Sequence, residues 1–275
     1  MMKNIATIIL NRNLPEPTNK LYEHLIKYDS NETDLFVLEA GSDQDKLSQY
    51  CTWHANSDEI RKDGLRYSRG MNYGLFKLFK EKKWKQYDAF FLLTNDTELS
   101  PSPTLEPLTK IMEEHKRIGI LSPCSSTWGE RHLLNENSIK YFWFIHNNAL
   151  LFRRTFIEDI MEKVKPSYMN FFFDGSNFRG YFSESEIIAK AYANNWAAAI
   201  TTKVFAEENE SYLLKKADLI RTESYEENIK LYIEEGQYWL RHKYGFNSRW
   251  SMQQYVKSFY DRFFDFYPEY KKFKI

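Results

Sequence analysis

The chain alternates short unbroken apolar runs with longer stretches in which apolar residues recur every three or four positions. Ile5 to Leu10 is a β-rich run ending in the polar Asn11-Arg12-Asn13. Leu35 to Leu38 stops at Glu39-Ala40-Gly41-Ser42-Asp43, and Ala89 to Leu93 stops at Thr94-Asn95-Asp96-Thr97. Ile118 to Leu121 is a further run of the same kind. Runs of this length bounded by turn residues predict strands buried on both faces. Between them the spacing is helical: Leu21, Leu25 and Ile26 after Pro17, then Met71, Leu75, Leu78 and Phe79 within Ser68 to Lys82, then Leu105 to His115. Strands alternating with crossover helices predict an α/β domain with a mostly parallel central sheet flanked by helices. In such sheets ligands bind beyond the carboxyl ends of the strands. Here those ends are polar, and two of them are acidic.

The second half is less regular. Asn148 to Phe152 reads as a strand, Arg154 to Lys163 as a helix, and Phe171 to Gly175 as the start of a loop. A helix is predicted from near Ser183 and a strand over Ala197 to Thr202. From about Tyr212 the chain is charged, aromatic and helix-like, punctuated by Gly236, Gly245 and Pro268. The expected organisation is a main domain over residues 1–210 with a helical C-terminal extension over 211–275.

Composition narrows the partners. With 38 basic and 38 acidic residues the chain has no global field to draw it to a polyanion, so nucleic acid is not an expected partner. The two cysteines, Cys51 and Cys124, make neither a metal site nor a disulfide framework and suit a reducing cytosol, with a single bridge left open. Ile5 to Leu10 is too short for a signal peptide, and no stretch approaches about eighteen apolar residues, so a soluble, cytoplasmic chain without a transmembrane segment is expected. Aromatic residues make up 17% of the chain. Most suit core packing, while Trp128, Tyr141 and Trp143 are candidates for an aromatic wall that stacks on a sugar ring.

Four groups of residues could carry chemistry. In Thr94-Asn95-Asp96-Thr97-Glu98 a carboxylate at a rigid strand end can hold Mn2+ or Mg2+ while a bound diphosphate supplies further oxygens; the same residues suit a simple turn. Glu39, followed by Gly41 and Ser42, can accept hydrogen bonds from a ribose or base edge, or again form a plain turn. Ser183 and Glu186 have the spacing of a capping box, which leaves Glu184 near the positive end of the helix as a carboxylate able to take a proton from a hydroxyl, with Glu186 as the alternative. Arg12, Arg66 and Arg69 can pair with a pyrophosphate or lie solvated at the surface. His146 reads as a structural histidine. No cluster has zinc-ligand spacing, and Gly70-Met71-Asn72-Tyr73-Gly74 lacks the pattern of a phosphate-binding glycine loop.

Taken in order, these segments resemble the nucleotide-sugar glycosyltransferases of the GT-A fold, in particular the inverting family two. Ile5 to Asn13 is similar to that family's opening strand, and Val37 to Asp43 to its V-V-D-N-G-S-T-D segment. Arg69 to Gly74 keeps the end of its N-x-G-x-x-x-G-x-N-x-G segment, and Leu93 to Thr97 resembles its metal motif, often L-N-N-D-T or L-D-A-D-D. Asn147 to Arg154 matches its small-residue strand in style, and Ser183 to Trp196 its late acidic motif. The resemblance covers roughly residues 4 to 210. It implies a GT-A-type domain that transfers a sugar, with inversion, from a nucleotide-diphospho-sugar donor to a saccharide or other hydroxyl acceptor, as in polysaccharide biosynthesis. It places Glu39 on the nucleoside and Asp96 on the metal, and Glu184 on the catalytic base with Glu186 as runner-up. Asn11, Arg12, Gly41, Arg66, Arg69 and Asn95 then fall around the donor. The departures are Thr94 and Ser183 in place of acids, and Phe205-Ala206-Glu207-Glu208 where the family often has a histidine. Glu207, with Glu98, is the expected replacement oxygen ligand. A rival reading is a non-catalytic nucleotide-sugar or glycan-binding protein on the same scaffold. A nucleotidyltransferase is disfavoured because Asn11-Arg12-Asn13-Leu14-Pro15 is not a glycine-rich basic loop. Homo-oligomerisation is left open.

Overall fold

The computed structural model describes residues 4–145, 148–209, 211 and 225–275; His146 lies outside them. Strand β1 (Ile5–Asn11) is buried along its whole length, as its unbroken apolar run requires. β2 (Thr33–Ala40) and β4 (Ala89–Thr94) pair with it in parallel, one on each side, and β3 (Cys51–Ala55) continues the parallel layer beyond β2. β8 (Ala149–Arg153) then runs antiparallel between β4 and β6 (Ile118–Cys124), and β9 (Ala197–Glu208) lies parallel to β6. The short strands β5 (Thr97–Leu99) and β7 (Ile139–Tyr141) both pair antiparallel with β9. Helices α1 (Pro15–Asp29), α3 (Arg66–Lys80), α4 (Leu105–Glu114), α5 (Arg154–Ile160) and α6 (Ser183–Ala193) pack against this sheet, with the short α2 (Asp58–Asp63) at the β3 end.

The expected α/β architecture is therefore present, with differences that have local causes. β3 has no apolar run: only Trp53 and Ala55 of Cys51–Ala55 are buried, because the strand lies at the edge of the sheet. α5 ends at Ile160 instead of reaching Lys163, because Met161 turns extended and the Glu162 amide bonds the Phe171 carbonyl. β9 runs six residues past its expected end, since its second half leaves β6 to pair with β5.

Helix α3 lies close on β1. A Cβ at Gly70 would come within 2.5 Å of Leu10, and one at Gly74 within 3.0 Å of Ile8. Between them Asn72 is fully buried and bonds the loop that follows α5. Its Nδ2 donates to the carbonyls of Tyr168 (3.0 Å) and Phe173 (2.8 Å), and its Oδ1 accepts the amides of Phe172 (3.0 Å) and Phe173 (2.8 Å). One side chain thus satisfies a buried, irregular backbone that has no ladder of its own.

Beyond β9, α7 (Tyr225–Tyr244) and α8 (Arg249–Phe266) follow. Val256, Tyr260, Phe263 and Phe264 of α8 join the same core as the sheet. Tyr141 is part of that core and not of a sugar-binding wall: it is fully buried, stacks on Tyr270 and Phe273, and lies 3.0 Å from His115 Nδ1 through its hydroxyl. No helix among the described residues is long and apolar enough to cross a membrane. Replacing Asn72 by Leu keeps the branching and the number of heavy atoms but strands two amides and two carbonyls. The expected loss is about 3 kcal/mol, read as a fall of several degrees in melting temperature; an unchanged melting temperature would refute the staple.

Candidate functional site at the strand ends

The carboxyl ends of β1, β2 and β4 are tied by a buried network centred on Glu39. This residue is fully buried, and its Oε2 accepts from Asn11 Nδ2 (2.8 Å) and Ser42 Oγ (2.5 Å) while Oε1 accepts the Ser48 amide (2.8 Å). Asn11 Oδ1 in turn accepts Asn95 Nδ2 at 2.8 Å, which carries the network to the end of β4. Ser42 Oγ accepts the Asn13 amide (3.0 Å), and Asn13 Oδ1 accepts the Asp43 amide (2.8 Å), so the loops after β1 and β2 hold each other. Gly41 is required for a different closeness: at φ +85°, a Cβ there would lie 2.1 Å from the Ile60 carbonyl oxygen. A cavity of ≈ 470 Å³ opens beside these loops, between Ser42, His54, Asn56 and Arg61.

At the end of β4 the balance is reversed. Asp96 is 7% exposed, and its Oδ1 has no hydrogen-bond partner among the described residues. Burial pushes its carboxyl above the ordinary value, against hydrogen bonds from the Thr94 hydroxyl and its own amide. Asn148 adjoins this turn, its backbone carbonyl accepting the Thr94 amide (3.2 Å) and Thr97 Oγ1 (2.8 Å). It is 4% exposed, and neither atom of its side-chain amide has a partner among the described residues. Orphaned buried polar atoms cost roughly 1–3 kcal/mol each and are rare in folded proteins. Among the described residues they include Asp96 Oδ1 and both side-chain amide atoms of Asn148, at the end of β4, as well as atoms elsewhere such as Tyr67 Oη and Asn177 Oδ1. The side-chain oxygens of Asp96 and Asn148 are hard donors of the kind a divalent cation prefers, and both residues are buried at this rim. Asn148 was not among the expected site residues, because an asparagine before a strand carries no distinguishing pattern.

The other expected acids do not converge on Asp96. Among the described residues no three His, Cys, Asp or Glu side chains group as a metal site. Glu98 is exposed and accepts Asn209 Nδ2 at 2.6 Å. Glu207, opposite Glu98 in the β5–β9 pairing, accepts Ser125 Oγ (2.5 Å) and the Ser126 amide (2.8 Å). Burial raises the Glu207 carboxyl, but those hydrogen bonds outweigh it and hold the group below its usual range.

The two glutamates at the start of α6 face different surroundings. The expected capping box does not form. The N-cap is Phe182, in the left-handed region at φ 60°, and Ser183 is already helical. Glu186 is 1% exposed and accepts Tyr244 Oη (2.6 Å), with Lys243 Nζ at 2.7 Å and Lys190 Nζ at 3.3 Å. Glu184 is half-buried, 3.4 Å from Ser183 Oγ. Burial, with the charge of Glu184 added, pushes the phenols of Tyr67 and Tyr232 far above their ordinary range, and the Tyr67 hydroxyl is buried without a partner. The arginines are partly engaged by the chain. Arg12 donates to the carbonyls of Lys62 (2.9 Å) and Arg61 (3.3 Å), Arg66 to Asn228 Oδ1 (3.2 Å) and Arg69 to Gly175 O (2.7 Å). Arg69 and Arg66 both lie over the Phe178 ring, at 4.5 and 5.4 Å.

No protein-family model and no curated protein matches the sequence. Solved structures do match the fold. GalNAc-T7 with UDP, GalNAc and Mn2+ superposes with a TM-score of 0.57 at 9% identity, over 99% of this chain and 58% of that one. Staphylococcus aureus TarS 1-349 with UDP-GlcNAc gives 0.51 at 14% identity, over 96% and 73%. The mannosyltransferase PcManGT from Pyrobaculum calidifontis with GDP-Man and Mn2+ gives 0.50 at 9% identity, over 93% and 73%. The chain thus spans little more than half the length of GalNAc-T7. At these identities the likeness is one of fold, and the fold is GT-A.

Because the Asp96 carboxyl is raised in the folded state, its ionised form opposes folding above that raised value, and the opposition vanishes below the unfolded value of about 3.9. Asp96→Asn is therefore expected to raise the melting temperature at pH 7.5 by a few degrees, with the gain fading as the pH falls towards 4. A lower melting temperature at neutral pH would contradict the orphaned carboxylate.

Proposed function

We propose that the chain is a metal-dependent, inverting glycosyltransferase that moves a sugar from a nucleotide-diphospho-sugar to a hydroxyl of a saccharide or other acceptor. The observation that carries this reading is the unpartnered Oδ1 of Asp96, buried at the end of β4 on a GT-A sheet. In this reading Asp96 and Asn148 hold Mn2+ or Mg2+ through their side-chain oxygens. When bound, the cation offsets the charge that builds up on the departing diphosphate. Mn2+ accompanies nucleotide or nucleotide sugar in GalNAc-T7 and PcManGT, which supports the same class of donor here. The Glu39 network holds the loops around the nucleoside in place before it arrives. Arg69 uses Nε on Gly175, and its guanidinium has further N–H donors for phosphate oxygens.

Glu184 takes the remaining task. The acceptor oxygen attacks the anomeric carbon on the face opposite the leaving group and gives its proton to the Glu184 carboxylate. The bond from the anomeric carbon to phosphate breaks with its electron pair going to the diphosphate, and the configuration inverts. Glu186, held by Lys243 and Tyr244, serves the structure and is set aside as the base.

One observation favours a second reading. Asp96 belongs to no group of three or more His, Cys, Asp or Glu side chains among the described residues, and Thr94 stands where the family motif can have its first acid. That pattern also suits a protein that binds nucleotide sugars without turning them over. Calorimetry with UDP- and GDP-sugars, with and without Mn2+, and an assay of nucleotide release separate the two. Glu184→Gln is expected to lower turnover by about 10²–10⁴-fold with donor affinity within twofold of the parent, and Asp96→Ala to remove the Mn2+ dependence of donor binding. Donor binding by the unaltered chain with no nucleotide release would favour the binding protein, and donor binding unchanged by Asp96→Ala would remove the metal assignment.

A further inference from the structure

Glu184 sits at the end of an irregular segment that does not hold its own shape. Between Asp174 and Ser183 the chain has no strand or long helix, Gly180 takes φ +79° and Phe182 takes φ +60°. A bulky residue in the left-handed region persists only when its surroundings over-determine it. Those surroundings come in large part from α7. Asn228, Tyr232, Glu235, Gly236, Trp239 and Lys243 are spaced to form one stripe of that helix, and each of them meets this segment or its neighbours.

Asn228 Oδ1 accepts from both Arg179 Nε (3.2 Å) and Arg66 Nη1 (3.2 Å), joining the segment to the start of α3. Glu235 pairs with Arg179, whose side chain is only 8% exposed. The Tyr232 ring meets Tyr181 edge-on at 5.0 Å, and a Cβ at Gly236 would lie 2.2 Å from that of Tyr181, so the helix backbone presses on the segment directly. At the far end of the stripe Trp239 Nε1 donates to Asp174 Oδ2 (3.0 Å), and Lys243 bonds both Asp174 and Glu186. The segment that presents Glu184 is thus braced by α7 from Asp174 to Glu186.

We infer that α7 belongs to the catalytic apparatus: it is the strut that fixes Glu184, and Asn228 and Glu235 are positioning residues that act through Arg179 and the segment it anchors. This rests on Glu184 being the base in the proposed transfer. It gives the helices beyond β9 a role in the reaction, where packing alone would leave them a stabilising appendage.

The test uses the full chain carrying N228A and E235A together, with E235Q as the conservative variant and E234A as a control on an exposed part of the same helix. Two quantities are read: hydrogen exchange of the amides at 178–184, and kcat against donor KM. In N228A/E235A, exchange at 178–184 is expected to quicken at least tenfold while β1 and β4 stay protected, and kcat to fall at least tenfold with donor KM within twofold. E235Q is expected to recover most of the kcat, and E234A to behave as the parent. Unchanged exchange at 178–184 overturns the strut, whether or not the chain transfers sugar. Faster exchange with unchanged kcat, while E184Q stops transfer, leaves the glycosyltransferase reading standing and removes the catalytic role of α7. A kcat loss matched by global loss of protection marks a merely structural helix and also overturns it.

Discussion

A carboxylate taken out of water is tolerated only if donors replace its hydration, and Glu39 is such a carboxylate. It lies one residue from the end of a buried parallel strand, still in register with Asn11 and His54, just before the loop that follows. Three donors from three different loop positions, Asn11, Ser42 and Ser48, converge on its two oxygens. Through Asn11 the same network reaches Asn95 on the third strand of the parallel layer. These few bonds tie the ends of β1, β2 and β4 together at the rim of the sheet.

Against that satisfied centre, the unsatisfied atoms stand out. Asp96 and Asn148 are also buried, yet they keep polar atoms with no partner among the described residues. The chain supplies three donors to the Glu39 carboxylate but leaves one oxygen of Asp96 without a partner among the described residues, at a cost carried in the free fold. Such a cost is retained where something other than the chain completes the coordination. The contrast divides the rim into a part whose polar atoms are filled by the chain and a part where some are not.

A similar division separates Glu184 from Glu186, two residues apart on one helix. Successive helical positions point in different directions, so two glutamates in one turn can meet opposite environments. Glu186 enters an ion-paired, nearly closed contact with α7, whereas Glu184 stays half-exposed beside the tyrosines of α3 and α7. The C-terminal helices therefore do more than cover apolar surface. Their stripe of polar and aromatic residues grips the segment from which Glu184 projects.

The alternation of buried runs with helical spacing was enough to determine the α/β layering and most of the strands and helices, since burial on both faces demands continuous apolar residues. It was also enough to locate the rim, because strands must end in turn residues and those turns are polar here. It could not show β3, β5 or β7, which are short and owe their existence to the strand beside them. Nor could spacing tell an ordering carboxylate from a binding one. Glu39, Asp96, Glu98 and Glu207 are all acids at or near strand ends, and only tertiary contacts decide which have their oxygens filled. Asn148, Tyr232 and Asn228 were invisible for the same reason. Each matters through a partner roughly fifty or more positions away in the chain, and that proximity exists only once the chain has folded.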